Sequence, residues 1–110
     1  MGINIDPESS TFGKAAGFVL SEENRYLMYI PNTYTYAHGF TVLEDNTELE
    51  YLTDNEYSYS DAKSIWYADD SLIDIETSLP IDWTYRGTVS LSSIKSHKNA
   101  EAPLLRDSSF

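Results

Sequence analysis

Turn-forming residues recur along this chain about every 8 to 12 positions, and the stretches between them are rich in Tyr, Thr, Ile and Val. That spacing leaves room for short strands and almost none for helices. Pro7-Glu8-Ser9-Ser10, Ser21-Glu22-Glu23-Asn24, Glu44-Asp45-Asn46-Thr47 and the stretch from Pro80 to Arg86 are the clearest breaks. Between them, Ile3 to Asp6 reads as the end of a strand and Gly17 to Leu20 as an apolar strand. Arg25 to Ile30 reads as another, stopped at Pro31, which cannot donate to a sheet ladder. His38 to Leu43 and Glu48 to Thr53 read as hairpin partners across the turn at 44–47. Asn32 to Tyr36 and Asp54 to Ser64 are loops in this reading, and Ile65-Trp66-Tyr67 and Leu72 to Ile75 are short extended pieces. Ala102-Pro103-Leu104-Leu105 is a segment able to dock back onto the core. The expected class is all-β, with antiparallel pairing in one open sheet or two layers, and no helix beyond a short one near the C-terminus.

At 110 residues the chain fits one domain whose core has little margin. Eighteen acidic and seven basic residues give a formal net charge of −11. Such a surface repels phosphate backbones and anionic lipids, so neither nucleic acid nor membrane is an expected partner. An anionic substrate requires the few cations to converge, and Arg25, Arg86, Lys63, Lys95 and Lys98 are the candidates. The absence of cysteine removes disulfide and thiolate chemistry and fits a reducing compartment. The start, Met1-Gly2-Ile3-Asn4-Ile5-Asp6-Pro7, has neither a basic region nor an apolar run, and no segment approaches the ~20 apolar residues of a membrane span. A cytoplasmic location is the expectation.

Chemistry, if present, gathers on the segment from Tyr29 to Tyr57. There Tyr29-Ile30-Pro31 ends one strand, and Ala37-His38-Gly39-Phe40 places a histidine beside a glycine at the mouth of the next. On residue grounds alone, a structural histidine held by a loop carbonyl is the more economical reading of His38. Tyr57 and Tyr59 lie in a polar loop, where a tyrosine with a lowered pKa can serve as a general acid and an exposed ring is the plainer alternative. Asp69-Asp70 and the acidic residues from Glu44 to Glu56 have no Ca²⁺-loop spacing, and His38 and His97 are far apart in sequence. A metal site is therefore not expected, and these carboxylates read as a solvated acidic face. No nucleophile elbow and no Gly-rich phosphate loop is present.

Taken in order, the local motifs resemble those of the dTDP-4-dehydrorhamnose 3,5-epimerase family, cupin-fold enzymes acting on keto-deoxysugar nucleotides. The residues that carry the resemblance are Ser9-Ser10-Thr11-Phe12-Gly13-Lys14, Leu20-Ser21-Glu22-Glu23-Asn24, Tyr29-Ile30-Pro31, Ala37-His38-Gly39-Phe40, Val42-Leu43-Glu44-Asp45, Tyr51 with Tyr57, and the stretch from Leu91-Ser92 through Lys98-Asn99 to Pro103 and Leu105. The resemblance implies the C-terminal part of a cupin-type jelly roll, with residues 1–110 forming one N-terminally truncated domain. It further implies a nucleotide-sugar substrate and epimerisation at C3 and C5 of a dTDP-4-keto-6-deoxysugar, with no metal or organic cofactor. Tyr57 matches the family's general acid. His38, Lys98 and Asn99 match substrate-pocket positions.

Departures from the family pattern are equally specific. The family's base is a histidine upstream of the Ser9–Lys14 run, a region this chain does not contain. The acidic member of its Lys-Asp pair is replaced by Asn99, which accepts a hydrogen bond but cannot stabilise an imidazolium by charge. The loop before Ala37 is longer, by Thr35 and Tyr36 or their equivalents, and the family's W-N-D-P stretch reads Trp66-Tyr67-Ala68-Asp69-Asp70. A jelly roll lacking strands leaves open edges and an uncovered apolar face. The expected partner is accordingly a second copy or a complementing N-terminal polypeptide. The alternatives to an epimerase are a catalytically inactive homologue serving as a binding or assembly module, and a cupin-like interaction protein unrelated to sugar nucleotides.

Overall fold

Four short strands form one sheet in the computed structural model, which describes residues 1–31, 35–90 and 101–108. They are β1 (Gly2–Asn4), β2 (Lys14–Ala16), β3 (Tyr36–His38) and β4 (Ile73–Asp74), in spatial order β3-β1-β2-β4. β1 is antiparallel to both β2 and β3, placing Ile3 opposite Ala15 on one side and Ala37 on the other. The outer pair, β2 with β4, is parallel, so the sheet is mixed where antiparallel pairing was expected. A 3₁₀ turn, Leu105–Asp107, supplies the expected short C-terminal helix. The described residues are thus nearly all-β, as a partial cupin-like fold requires.

The Ser9–Lys14 motif makes a tight loop for identifiable reasons. Asn4 donates through its side-chain amide to the hydroxyls of Ser9 and Thr11, and its carbonyl accepts the amide of Gly13. Gly13 has φ +79°, and a Cβ there would stand 3.1 Å from the Ser71 carbonyl oxygen. Glycine therefore serves two needs, the left-handed backbone and the close approach of the 71–73 segment, whose Ile73 N–H donates to Gly13 O. The Leu20–Asn24 motif is likewise a self-bonded turn. Ser21 N–H donates to Asn24 Oδ1, Asn24 N–H donates to Ser21 Oγ, and Arg25 N–H donates to the Ser21 carbonyl.

Under the sheet lies a small core of Ile3, Ile5, Ala15, Leu72 and Leu105, with Met1, Ala37, Ile65 and Ile81 packed at its margin. Leu72 is fully buried. The C-terminal segment docks back as expected: Leu105 is buried, Trp66 N–H donates to Pro103 O, and Leu105 N–H donates to Asp69 Oδ2 at 2.8 Å. Asp69 overturns the expectation of a solvated carboxylate. It is only 6 % exposed, because Ser71 N–H and Ser71 Oγ–H donate to its Oδ1 while Leu105 satisfies its Oδ2. Asp70 beside it does lie in solvent.

Three expected strands do not form. The stretches 17–20, 25–30 and 48–53 enter no ladder among the described residues, and His38 closes β3 rather than opening a strand. A strand exists only where a neighbour takes up its N–H and C=O groups, and a lone hairpin is marginal in water. Without such neighbours their apolar side chains face solvent, Leu27 and Leu52 each at 97 %. The accessible surface, 9078 Å² for a chain of 12.5 kDa, measures the same deficit. A folded monomer of that mass exposes roughly 6,200 Å². Among the described residues no helix is long and apolar enough to cross a membrane.

Burial works to raise the pKa of Asp69, but the Leu105 and Ser71 hydrogen bonds and the nearby Arg106 charge outweigh it, leaving the group below the ordinary Asp value. A lowered folded-state pKa adds stability above the unfolded value, which is lost as pH falls through the folded one. Asp69→Asn is therefore expected to cost about 1–3 kcal/mol at neutral pH in urea unfolding. Its deficit relative to the parent should narrow on acidification below about pH 4, whereas an unchanged midpoint at pH 7 would refute the clasp.

Candidate functional site

His38 stands at the end of β3, on the outer edge of the sheet. From Tyr36 to Glu44 exposure alternates residue by residue, with Tyr36, His38, Phe40 and Val42 outward and Ala37, Gly39, Thr41 and Leu43 more covered. This period of two matches the alternation of an extended chain, but of the strand expected at 38–43 only His38 enters the ladder, because 48–53 supplies no partner. The alternation sets His38 among exposed apolar and aromatic side chains, on a face that water and ligands reach.

Behind that segment lies a cluster of rings. Trp83 is 8 % exposed, donates its Nε1–H to the Tyr67 carbonyl at 2.7 Å, and meets the Tyr67 ring edge-on with centroids 6.3 Å apart. Tyr67 in turn lies against Trp66 at 4.6 Å between centroids. Thr41 Oγ1–H donates to the Trp83 carbonyl at 3.0 Å, tying the extended segment to this cluster across more than 40 positions of sequence. Sequence reasoning placed Trp83 only in a turn-rich connection. The available signal was its type, since a buried indole needs an acceptor for its N–H and so marks a fixed place in a fold.

Tyr57 lies in the polar loop expected at 54–64 and is 74 % exposed. Among the described residues no hydrogen bond, ion pair or ring contact joins it to His38, so the two are not brought together by direct contact. Lys98 and Asn99 lie outside the described residues. An open cleft of about 470 Å³ is lined by Val42–Thr47 and Thr88–Ser90, with Glu44 and Asp45 on its rim. Neither His38 nor Tyr57 lines it, and its two carboxylates disfavour a diphosphate. Among the described residues no group of three or more His, Asp or Glu side chains is placed to hold a metal ion.

Comparison with known proteins adds a second line of observation. The family model described as dTDP-4-dehydrorhamnose 3,5-epimerase matches residues 1–107. A protein of that name from Salmonella typhimurium is 35 % identical over 105 residues, covering 96 % of this chain and 50 % of its own length. The Shigella flexneri protein of the same name is 40 % identical over 72 residues, covering 66 % of this chain and 39 % of its own length. The Escherichia coli protein is 34 % identical over 92 residues, 84 % of this chain and 45 % of its own length. The chain spans about half the length of the curated relatives it matches, and no solved structure matches it.

The buried indole supplies a direct check of the site's floor. Trp83 Nε1–H is expected to exchange with solvent at least about tenfold more slowly than that of Trp66, as buried, bonded groups do, in NMR exchange spectra of the two indole signals. Equal rates would show that the Tyr67 bond is not held.

Proposed function

The chain belongs to the dTDP-4-dehydrorhamnose 3,5-epimerase family, and from that membership we propose that it acts in the epimerisation of a dTDP-4-keto-6-deoxysugar at C3 and C5. The observation that carries this reading is the family match running from residue 1 to residue 107. It embraces the Ala37–Phe40 motif on β3 and the Tyr57 loop.

The chemistry needs few groups. A ketone at C4 acidifies the C–H bonds at C3 and C5, so a base removes a proton and leaves an enolate. Reprotonation at carbon from the opposite face inverts the centre and regenerates the ketone. In this proposal the Tyr57 hydroxyl delivers that proton, and His38 contacts the sugar nucleotide from the edge strand. Lys98 and Asn99 complete the substrate contacts. The family pattern puts the proton-abstracting base upstream of Ser9–Lys14, and this proposal assigns that role to none of residues 1–110.

A partner in that sense agrees with the surface. Apolar side chains at Phe18, Leu27, Tyr29, Leu52 and Ile75 face solvent in a way that isolated domains avoid. A second copy or a complementing polypeptide would cover them and supply neighbours for the unpaired segments.

Two measurements test the reading. Incubation with dTDP-4-keto-6-deoxyglucose in D₂O, in the presence of an added upstream polypeptide from a full-length relative, is expected to place deuterium at C3 or C5. Tyr57→Phe should slow that exchange about 100-fold or more, the usual worth of a general acid; undiminished exchange would remove Tyr57 from the mechanism. Light scattering of the chain alone should return a mass above 12.5 kDa. A well-behaved monomer would count against the need for a partner.

A further inference from the structure

β3 carries His38 as its last residue. It lies at an edge and is paired on one side only, with β1. An edge strand held by one neighbour is free to twist or slip unless something braces its face. The structure contains such a brace. A Cβ built at Gly39 would lie 3.0 Å from Trp83 Cη2, 3.4 Å from Cζ3 and 3.9 Å from Cζ2. The six-membered ring of the indole therefore rests against the bare backbone immediately after His38.

The surroundings fix both parts of this contact. Gly39 N–H donates to the Met1 carbonyl at 3.0 Å, continuing the β1–β3 pairing by one position. On the far side of Gly39, Thr41 Oγ1–H donates to the Trp83 carbonyl. The indole cannot swing away, because its Nε1–H is bonded to the Tyr67 carbonyl and its ring meets Tyr67 edge-on. Side chains alternate along an extended segment. Because position 39 faces the indole, the neighbouring side chains His38 and Phe40 are turned to the opposite, exposed face.

We propose that Trp83 is a positioning residue for His38, setting the height and direction of the edge strand through its contact with Gly39. The inference rests on the reading of His38 as a substrate contact, and it deepens that reading by naming what aims the histidine. Glycine at 39 leaves room for the ring, since a Cβ there would press on it at 3.0 Å, a packing demand separate from any need for positive φ.

The test uses the 110-residue chain and the NMR signals of the His38 imidazole, assigned by their loss in His38→Ala. Gly39→Ala is expected to shift the His38 ring signals, because the methyl group meets the indole. Trp83→Phe removes the outer ring, so the double variant Gly39→Ala/Trp83→Phe should bring the His38 signals back toward the parent positions. His38 signals unmoved by Gly39→Ala, or moved and not restored in the double variant, would overturn the proposal. Should Trp83→Phe fail to fold, Thr41→Val decides: it cuts the tie to the Trp83 carbonyl, and its His38 signals must shift. The underlying reading fails separately if His38→Ala leaves deuterium exchange into the sugar unchanged, a result that does not touch the resonance shifts.

Discussion

β1 pairs along both of its edges, with β2 on one side and β3 on the other. Ile3 stands between Ala15 and Ala37 in the ladder and belongs to the core with Leu72 and Leu105. The backbone of Asn4 receives Gly13, and that of Thr35 receives Ile5, so the loops on both sides are tied to the same few residues. From β2 the order passes to β4, and from β4 through Leu72 and Asp69 to the C-terminal segment. Loss of the Ile3 side chain, a truncation that costs about 2–5 kcal/mol in a packed core, would therefore act on every other contact in the core.

That small centre explains where the candidate site is firm and where it is not. His38 inherits its position from the β1–β3 pairing and from the ring cluster behind it, both part of the well-tied region. Tyr57 belongs to a run, 44–61, in which every residue is exposed. The two residues assigned to one reaction thus differ sharply in their support. The accessible surface is roughly half as much again as that of a folded monomer of this mass, and the exposed run that carries Tyr57 contributes to that excess.

Turns were the legible part of the sequence, because turn chemistry is local. Ser21 and Asn24 bond one another, Asn46 adopts the positive φ of 60° that asparagine tolerates, and Thr47 closes the 44–47 turn on the Glu44 carbonyl. The docking of Ala102–Leu105 was legible as well, from its apolar character after a polar stretch. Strands at 17–20, 25–30 and 48–53 were not, because β-propensity says a residue fits a pleated surface and nothing about whether a neighbour exists. Asp69 was misread for a similar reason. Its type signals solvent, and the bond to its Oδ2 comes from Leu105, 36 positions away in sequence. Trp83 escaped notice because its significance lies in what it touches, Gly39, rather than in any motif of its own.

Hydrogen exchange resolved along the backbone tests most directly whether a β1-centred sheet, and little else, holds this chain together. In the chain diluted until it is monomeric, slow exchange is expected at Ile5, Gly13, Ile73, Ile75 and Leu105, whose amides donate to Thr35, Asn4, Gly13, Ala15 and Asp69, with fast exchange throughout 48–53 and 26–30. Protection at 48–53 or 26–30 equal to that of Ile5, in the isolated chain as a monomer, would contradict it.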